Sequence, residues 1–401
     1  MSGVGNDTRR AHVSLGLINV QSWKKGKFEE VIREMKENQL DILGVTQTTL
    51  RGEVNHSHED FHFAGKGRVK QTRAGGGVGI IFRGESWFSV DGIDIGDERG
   101  LAEDIAAFRI YPSGENAGIE LILVVVYMTV EGPNWPENRV KFQIVQNLIQ
   151  QYEREKVVVM GDMNAHTGLL GERINHNGEL LYEFAESNDL EILNHTCAEG
   201  RVTWQCDSRE QESAIDYVLA NHLAREGING ILVDEEGAFD IETDHNAILL
   251  EINGGEVGSP DTRGMNNREG YIGRTDFFWK CRDMDFRKFE VDLSRFDPID
   301  GRDVPELYDN LVRNLNLAAG QSFKKVKSGK RKPRKNKSWW NREIGEAVKE
   351  RKQVNRRVRK MRKQLSDNLV SQEAYDQCRE TYHRAKSKAA ALIAVAVLIM
   401  F

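Results

Sequence analysis

The sequence predicts an α/β (α+β) domain of two packed β-sheets flanked by helices, followed by a linker and a basic helical C-terminal arm. Three observations carry this. From about residue 12 to 253, short apolar runs of strand length alternate with amphipathic stretches of helical period. From 254 to 275 the chain turns Gly-rich and polar, as a linker does. Residues 324–363 then hold 19 Lys and Arg against 3 Asp and Glu, a local +16 in a chain of net charge −6, which leaves −22 on the rest. An acidic body with one basic arm fits a protein that meets nucleic acid through the arm, although a solvated helix face is the plainer use of a charge run.

Taken in order, residues 13–20 read as a strand and 28–37 as an amphipathic helix. Strands are predicted at 41–45, 79–82, 105–110 and 119–127, and a helix at 138–154. The β-branched run from Val157 is a buried strand, 179–188 a helix, and further strands fall near Ile192 and at 202–205, 215–219 and 247–252. Hairpin-joined strands with few helices imply two sheets packed face to face. Residues 1–11 are polar and read as disordered, 276–323 as a small helical segment, and 324–388 as the basic arm, proline-free beyond Pro333. The thirteen apolar residues 389–401 fall short of the roughly 20 needed to span a bilayer. They read as sequence left where a longer reading frame is cut, with a terminal helix wanting a partner as the alternative, and no membrane partner is expected. Cys197, Cys206, Cys281 and Cys378 lie far apart without metal-type spacing, which fits a reducing compartment.

The residues with chemistry stand at strand ends. Gly161-Asp162-Met163-Asn164 follows the run Val157-Val158-Val159-Met160. Asp162 and Asn164, two apart in an extended chain, face the same way, an anion beside a neutral amide. A site for a phosphate and an attacking water needs such a pair; Gly-Asp-x-Asn also serves as a plain turn. Asp216 sits inside an apolar run, and a buried acid needs a cation or a histidine. Asp244 and His245 precede the strand at 247–252, and Asp216 holding His245 would stabilise its imidazolium. Asn19 and Tyr127 end two more apolar strands. Singly, a cap, a core aromatic and a turn residue explain these positions. Together they form a ring of polar groups on apolar strands.

Asn19, Thr46-Gln47-Thr48, Gly75-Gly76-Gly77-Val78-Gly79-Ile80, Tyr127, Gly161-Asp162-Met163-Asn164, Ile215-Asp216-Tyr217 and Thr243-Asp244-His245, in this order, resemble the endonuclease/exonuclease/phosphatase superfamily. More narrowly, residues 12–253 resemble the apurinic-type endonuclease domain of non-LTR (LINE-like) retrotransposons. Ser338-Trp339-Trp340-Asn341 and the basic stretch after it resemble the connector between endonuclease and reverse transcriptase in such elements. No polymerase activity is expected.

The resemblance implies a four-layer αββα sandwich of two mixed sheets. It implies DNA strand nicking by phosphodiester hydrolysis, assisted by Mg²⁺ or Mn²⁺ and by no small-molecule cofactor. Asp162 would orient or deprotonate the attacking water and Asn164 help hold it. His245, held by Asp216, would contact the phosphate, with Tyr127 and Asn19 in support and Asp244 on the metal side. Gln47 stands where the family carries a metal-ligating glutamate; it brings no charge, so weaker metal binding and slower turnover are expected. Thr203 is expected at the phosphate, and Lys330, Arg331, Arg334 and Lys335 on nucleic acid. That basic stretch also implies a nuclear location. The alternatives are a catalytically disabled nucleic-acid-binding protein on the same fold, or a phosphatase or phosphodiesterase of the superfamily with another substrate. Oligomeric state is not legible.

Overall fold

The most apolar runs become the central strands of two facing sheets. The computed structural model describes residues 12–253 apart from gaps at 24–25, 70–74, 85–87, 97–101, 113–119, 133–134 and 207–210. It also describes 277–279, 325–327 and 340–400. The elements in order are β1 (His12–Asn19), α1 (Lys27–Glu37), β2 (Ile42–Thr46), β3 (Gly52–His58), β4 (Phe61–Gly67), β5 (Val78–Arg83), β6 (Phe88–Ile93), β7 (Ile105–Pro112) and β8 (Leu121–Tyr127). Then come α2 (Glu137–Gln151), β9 (Val157–Asp162), α3 (His176–Ser187), β10 (Leu190–Ile192), α4 (Leu193–Cys197), β11 (Trp204–Cys206), β12 (Gln211–Ser213), β13 (Asp216–Asn221), α5 (His222–Arg225), β14 (Ile228–Val233) and β15 (Ile248–Asn253).

One sheet has the order β14-β15-β1-β2-β5-β4-β3 and the other β10-β13-β9-β8-β7-β6. Each contains one parallel pair, β1 with β2 and β8 with β9, joined through α1 and α2, while the remaining pairs are antiparallel. Parallel neighbours need such a helical crossover, and both sheet faces are then covered. This is why β2, β8 and β9 are buried along their whole length. Leu15, Leu17 and Ile80 meet Leu123, Val125 and Met160 between the sheets. Phe28, Val31, Ile32 and Met35, recurring at helical spacing, seat α1 on the outer face of the first sheet. Phe142, Val145, Leu181 and Phe184 seat α2 and α3 on the outer face of the second. The layers are αββα.

The C-terminal part is helical as expected, and it packs on the domain. Asn341 caps α6 (Arg342–Ser366), its side chain accepting from the Ile344 N–H at 2.9 Å. Asn368, left-handed at φ 57°, ends the helix, and α7 (Gln372–Met400) runs back along it. Val358 packs against Tyr375, Cys378 and Tyr382 near the turn, and Ile344, Ala347 and Val348 against Ala389 at the other end. The described part of the apolar tail continues α7, and Leu392, Ile393 and Ala396 pack on the same cluster. Among the described residues no helix is long and apolar enough to cross a membrane. The inner face of α6 lies on α1 and on the segment between β14 and β15.

Residues 258–337 form a second compact unit. In it β16 (Phe277–Trp279) pairs antiparallel with β17 (Lys325–Lys327), where the sequence reading has helix at 277–279. Three successive aromatics favour a pleated ladder over a helix. The expectations for 1–11, for the linker and for most of 276–323 lie outside the described residues, as do Lys330, Arg331, Arg334 and Lys335.

Candidate active site

Strand register sets the first row of functional side chains. In the second sheet Tyr127 stands opposite Asp162, and Asp162 opposite Asp216. Gly161, one step back on β9, is needed there: a Cβ would lie 2.0 Å from the Val126 carbonyl oxygen. In the first sheet Asn19 stands opposite Thr46, next to Gln47. The Asn19 Nδ2 group donates to Asp162 Oδ2 at 2.8 Å and to Gln47 Oε1 at 2.9 Å, so one amide ties the two sheets together. The Asn164 N–H donates to Asp162 Oδ1 at 3.1 Å, and Asn164 Nδ2 to the Met128 carbonyl at 2.8 Å. Both carboxylate oxygens of Asp162 are thus oriented before any substrate arrives.

His245 enters from the segment before β15. Its Nδ1 lies 2.8 Å from Asp216 Oδ2 and its Nε2 3.6 Å from Asp244 Oδ1. The segment is pinned on both sides. Thr243 Oγ1 donates to the Asn19 carbonyl at 2.8 Å, and the Gln205 N–H to the Asp244 carbonyl at 2.9 Å. Thr203, fully buried, accepts from the Ile215 and Asp216 N–H groups at 2.9 and 3.0 Å. It therefore supports the strand that carries Asp216, and the phosphate contact expected of it has no accessible hydroxyl.

Burial sets the electrostatics. Loss of water pushes the Asp162 carboxyl up to about 7, and the charge of Asp216 adds to it, against the pull of His245 and Asn19. Burial alone would lower His245, but the charge and hydrogen bond of Asp216 outweigh it, and the imidazole rises to about 9. Burial, with the Asp162 charge, also holds the Tyr127 phenol protonated. The site therefore offers a carboxyl poised near neutrality, an imidazolium and a phenol donor.

The donor set also fits a divalent cation. Asp162, Asp216 and His245 present ligand atoms within 4.8 Å of one another. Asp216 Oδ1 and Asp244 Oδ1 are buried atoms without a hydrogen-bond partner. A protonated His245 is no ligand, so the oxygens carry the fit, and hard oxygens suit Mg²⁺ or Mn²⁺. Backbone strain collects here too: Gln21, Ser22, Gln47, Thr49, Asn164 and Glu242 hold positive φ on the strand-end segments around the site.

Residues 121–249 match the family described as endonuclease-reverse transcriptase. The match lies within the two-sheet domain and covers about a third of the chain. Craniofacial development protein 2 of Bos taurus is 24% identical over 254 residues, which are 59% of this chain and 40% of that protein. Its counterpart in Tragulus javanicus is 23% identical over 256 residues, 59% of this chain and 42% of that one. The chain thus spans less than half the length of the curated relatives it matches. Among solved structures, the endonuclease domain of TRAS1, a telomere-specific non-LTR retrotransposon, is similar at 17% identity and a TM-score of 0.46. That match covers 60% of this chain and 98% of the TRAS1 domain. AP endonuclease LMAP from Leishmania major is similar at 11% identity and a TM-score of 0.47, over 61% of this chain and 88% of that one.

In this domain a second layer lies beneath Tyr127 that the sequence alone does not reveal. Asp104 Oδ2 accepts from Arg68 Nη2 at 2.6 Å and from Lys141 Nζ at 2.7 Å, all three groups being buried. Lys141 Nζ also donates to the Tyr127 carbonyl at 3.0 Å, and the Arg68 guanidinium lies 5.9 Å from the Tyr127 ring centre. Gly75, at φ 79°, lets the backbone pass the phenol, where a Cβ would sit 2.6 Å from its oxygen. The Gly75-Gly76-Gly77 run was the one signal of this layer in the sequence. The three ionic residues are 36 and 37 positions apart and carry no local motif.

Proposed function

We propose that residues 12–253 hydrolyse phosphodiester bonds in DNA, nicking one strand in the manner of a retrotransposon endonuclease. The observation that carries the reading is the Asn19–Asp162 bridge facing the Asp216–His245 pair across one set of strand ends. Asp162, with both oxygens oriented and its carboxyl near neutrality, takes the proton of an attacking water. His245 presents an imidazolium to the phosphate, and its charge is kept by Asp216. Tyr127 donates from the same row, and Asn164, tied to the Met128 carbonyl, bounds the water's position. Asp244, with the Gln47 oxygen, would hold a divalent ion, which when bound polarises the phosphate and stabilises the leaving oxygen.

Gln47 limits the rate in this reading, because Mg²⁺ sheds water reluctantly and an amide brings no charge to replace it. The test is nicking of supercoiled plasmid by the full chain with Mg²⁺. Slow nicking is expected from the wild type, none from Asp162→Asn, and a gain of about 10²–10³-fold from Gln47→Glu. No gain from Gln47→Glu would remove Gln47 from the metal side. The neutral amide at this position also favours a second reading, a nucleic-acid-binding protein on a disabled site. DNA binding without cleavage by either version would establish it.

A further inference from the structure

Besides resting on α1, the inner face of helix α6 converges on the segment that delivers Asp244 and His245. Arg351, Asn355, Arg359 and Arg362 recur at four-, four- and three-residue steps and so share a helix face. Arg351, fully buried, donates to the Asp240 carbonyl at 3.2 Å and pairs with Glu30 at 2.7 Å and Glu242 at 3.4 Å. Asn355 Nδ2 donates to Asp240 Oδ2 at 2.9 Å. Arg359 Nη1 reaches the Asp234 and Glu235 carbonyls at 3.3 and 3.1 Å and the Asn246 side-chain oxygen. Arg362 Nη1 donates to Gln205 Oε1 at 2.9 Å, and the Gln205 backbone in turn holds the Asp244 carbonyl. Between them these donors hold both sides of His245: Asp240 and Glu242 before it, Asn246 after it, and Gln205 beside it.

We propose that α6 is a positioning element of the active site, and that Arg359 is its positioning residue for His245, acting through Asn246. The segment between β14 and β15 contains no regular structure of its own, and Glu242 in it holds a left-handed φ of 60°. Without the helix its carbonyls and acids face water, and the segment samples other conformations. With the helix, His245 is held over Asp162. The catalytic unit is then discontinuous in sequence, residues 12–253 completed by 340–366, and the catalytic part of this inference rests on the role given to His245 above.

Full-length Arg359→Ala tests it against Arg357→Ala, which removes the same charge from the exposed side of the same helix. Hydrogen–deuterium exchange of residues 234–247 is expected to quicken about tenfold or more in Arg359→Ala and to stay at the wild-type rate in Arg357→Ala. The His245 Nδ1 proton, followed by nuclear magnetic resonance in ¹⁵N-histidine-labelled protein, is expected to broaden in Arg359→Ala alone. In Arg359→Lys, whose ammonium carries three donors, both signals should return toward wild type. In plasmid nicking, kcat is expected to fall about tenfold in Arg359→Ala with KM held. Unchanged exchange and an unchanged imidazole proton overturn the proposal, as does a loosened segment with kcat intact. If the wild-type chain cleaves nothing, the proposed function falls, and the exchange and imidazole signals alone decide whether α6 holds the segment.

Discussion

Asp216 acts on the acid–base chemistry through His245, and through its charge on the neighbouring Asp162. Its Oδ2 orients the ring and its charge keeps the proton there, against the effect of burial. Asp216→Asn keeps the shape but loses that charge. A fall in kcat of about 10²–10³-fold is expected, read in a nicking assay, with DNA affinity little changed. Asp162 differs in kind, because its two oxygens are each fixed by a separate donor, Asn19 from the facing sheet and the Asn164 backbone. These residues were legible in the sequence because each interrupts or ends an apolar run, where a polar side chain has few other uses. Arg68, Asp104 and Lys141 were not, since nothing local relates a residue after β4 to one before β7 and one on α2.

At the scale of elements, α6 joins the body by burying charge against charge. Arg351 stands among Glu30, Asp240 and Glu242, and Lys352 pairs with Glu34 and Glu37. Removing one partner of such a set strands the others, so Arg351→Ala should cost about 3–5 kcal/mol in thermal or denaturant unfolding of the full chain. Burial lifts the Glu34 carboxyl to about 7, with Lys352 pulling the other way. Folding then takes up a proton: this contribution favours the folded state below the unfolded pKa of 4.5 and is lost as pH rises through 7. Glu34→Gln removes the titration, so its Tm should vary less than that of the wild type between pH 5 and pH 8. A wild-type slope retained in Glu34→Gln would exclude Glu34 as the source. Strands at or beside the edge of the first sheet were the least legible. β3 and β14 contain glycine and expose polar residues, and β4 mixes histidine, lysine and glycine into its apolar alternation, so the hydrophobic pattern is diluted.

For the whole molecule, the basic run divides into two parts with different uses. The cations on the inner side of α6 neutralise the acidic surface of the body, while Arg357, Lys360 and Lys363 remain exposed on the helix. Deleting 324–363 would therefore remove the support of His245 along with any DNA contact, and a fragment ending near 260 should nick more slowly than the full chain. Neutralising Lys330, Arg331, Arg334 and Lys335 is the cleaner test of the arm. DNA affinity should fall, and the slope of log K against log salt should shrink by about 3–4 if each meets a phosphate. An unchanged slope would assign the contact elsewhere.

The sequence by itself determined the central strands, the two crossover helices and the inventory of acid, amide, imidazole and phenol at the strand ends. Those features are local: a β-branched run, a helical period, a polar residue closing an apolar strand. Only the tertiary structure decided which acid each cation meets. Helical periodicity shows that Arg351, Asn355 and Arg359 share a face, but not which surface that face will cover. Arg351 finds Glu30 across 321 positions and Asp240 across 111, and Coulombic attraction over such separations leaves no mark on composition or spacing. A charge run that reads as an arm for phosphate is, on its inner side, the counter-charge of the domain that holds His245.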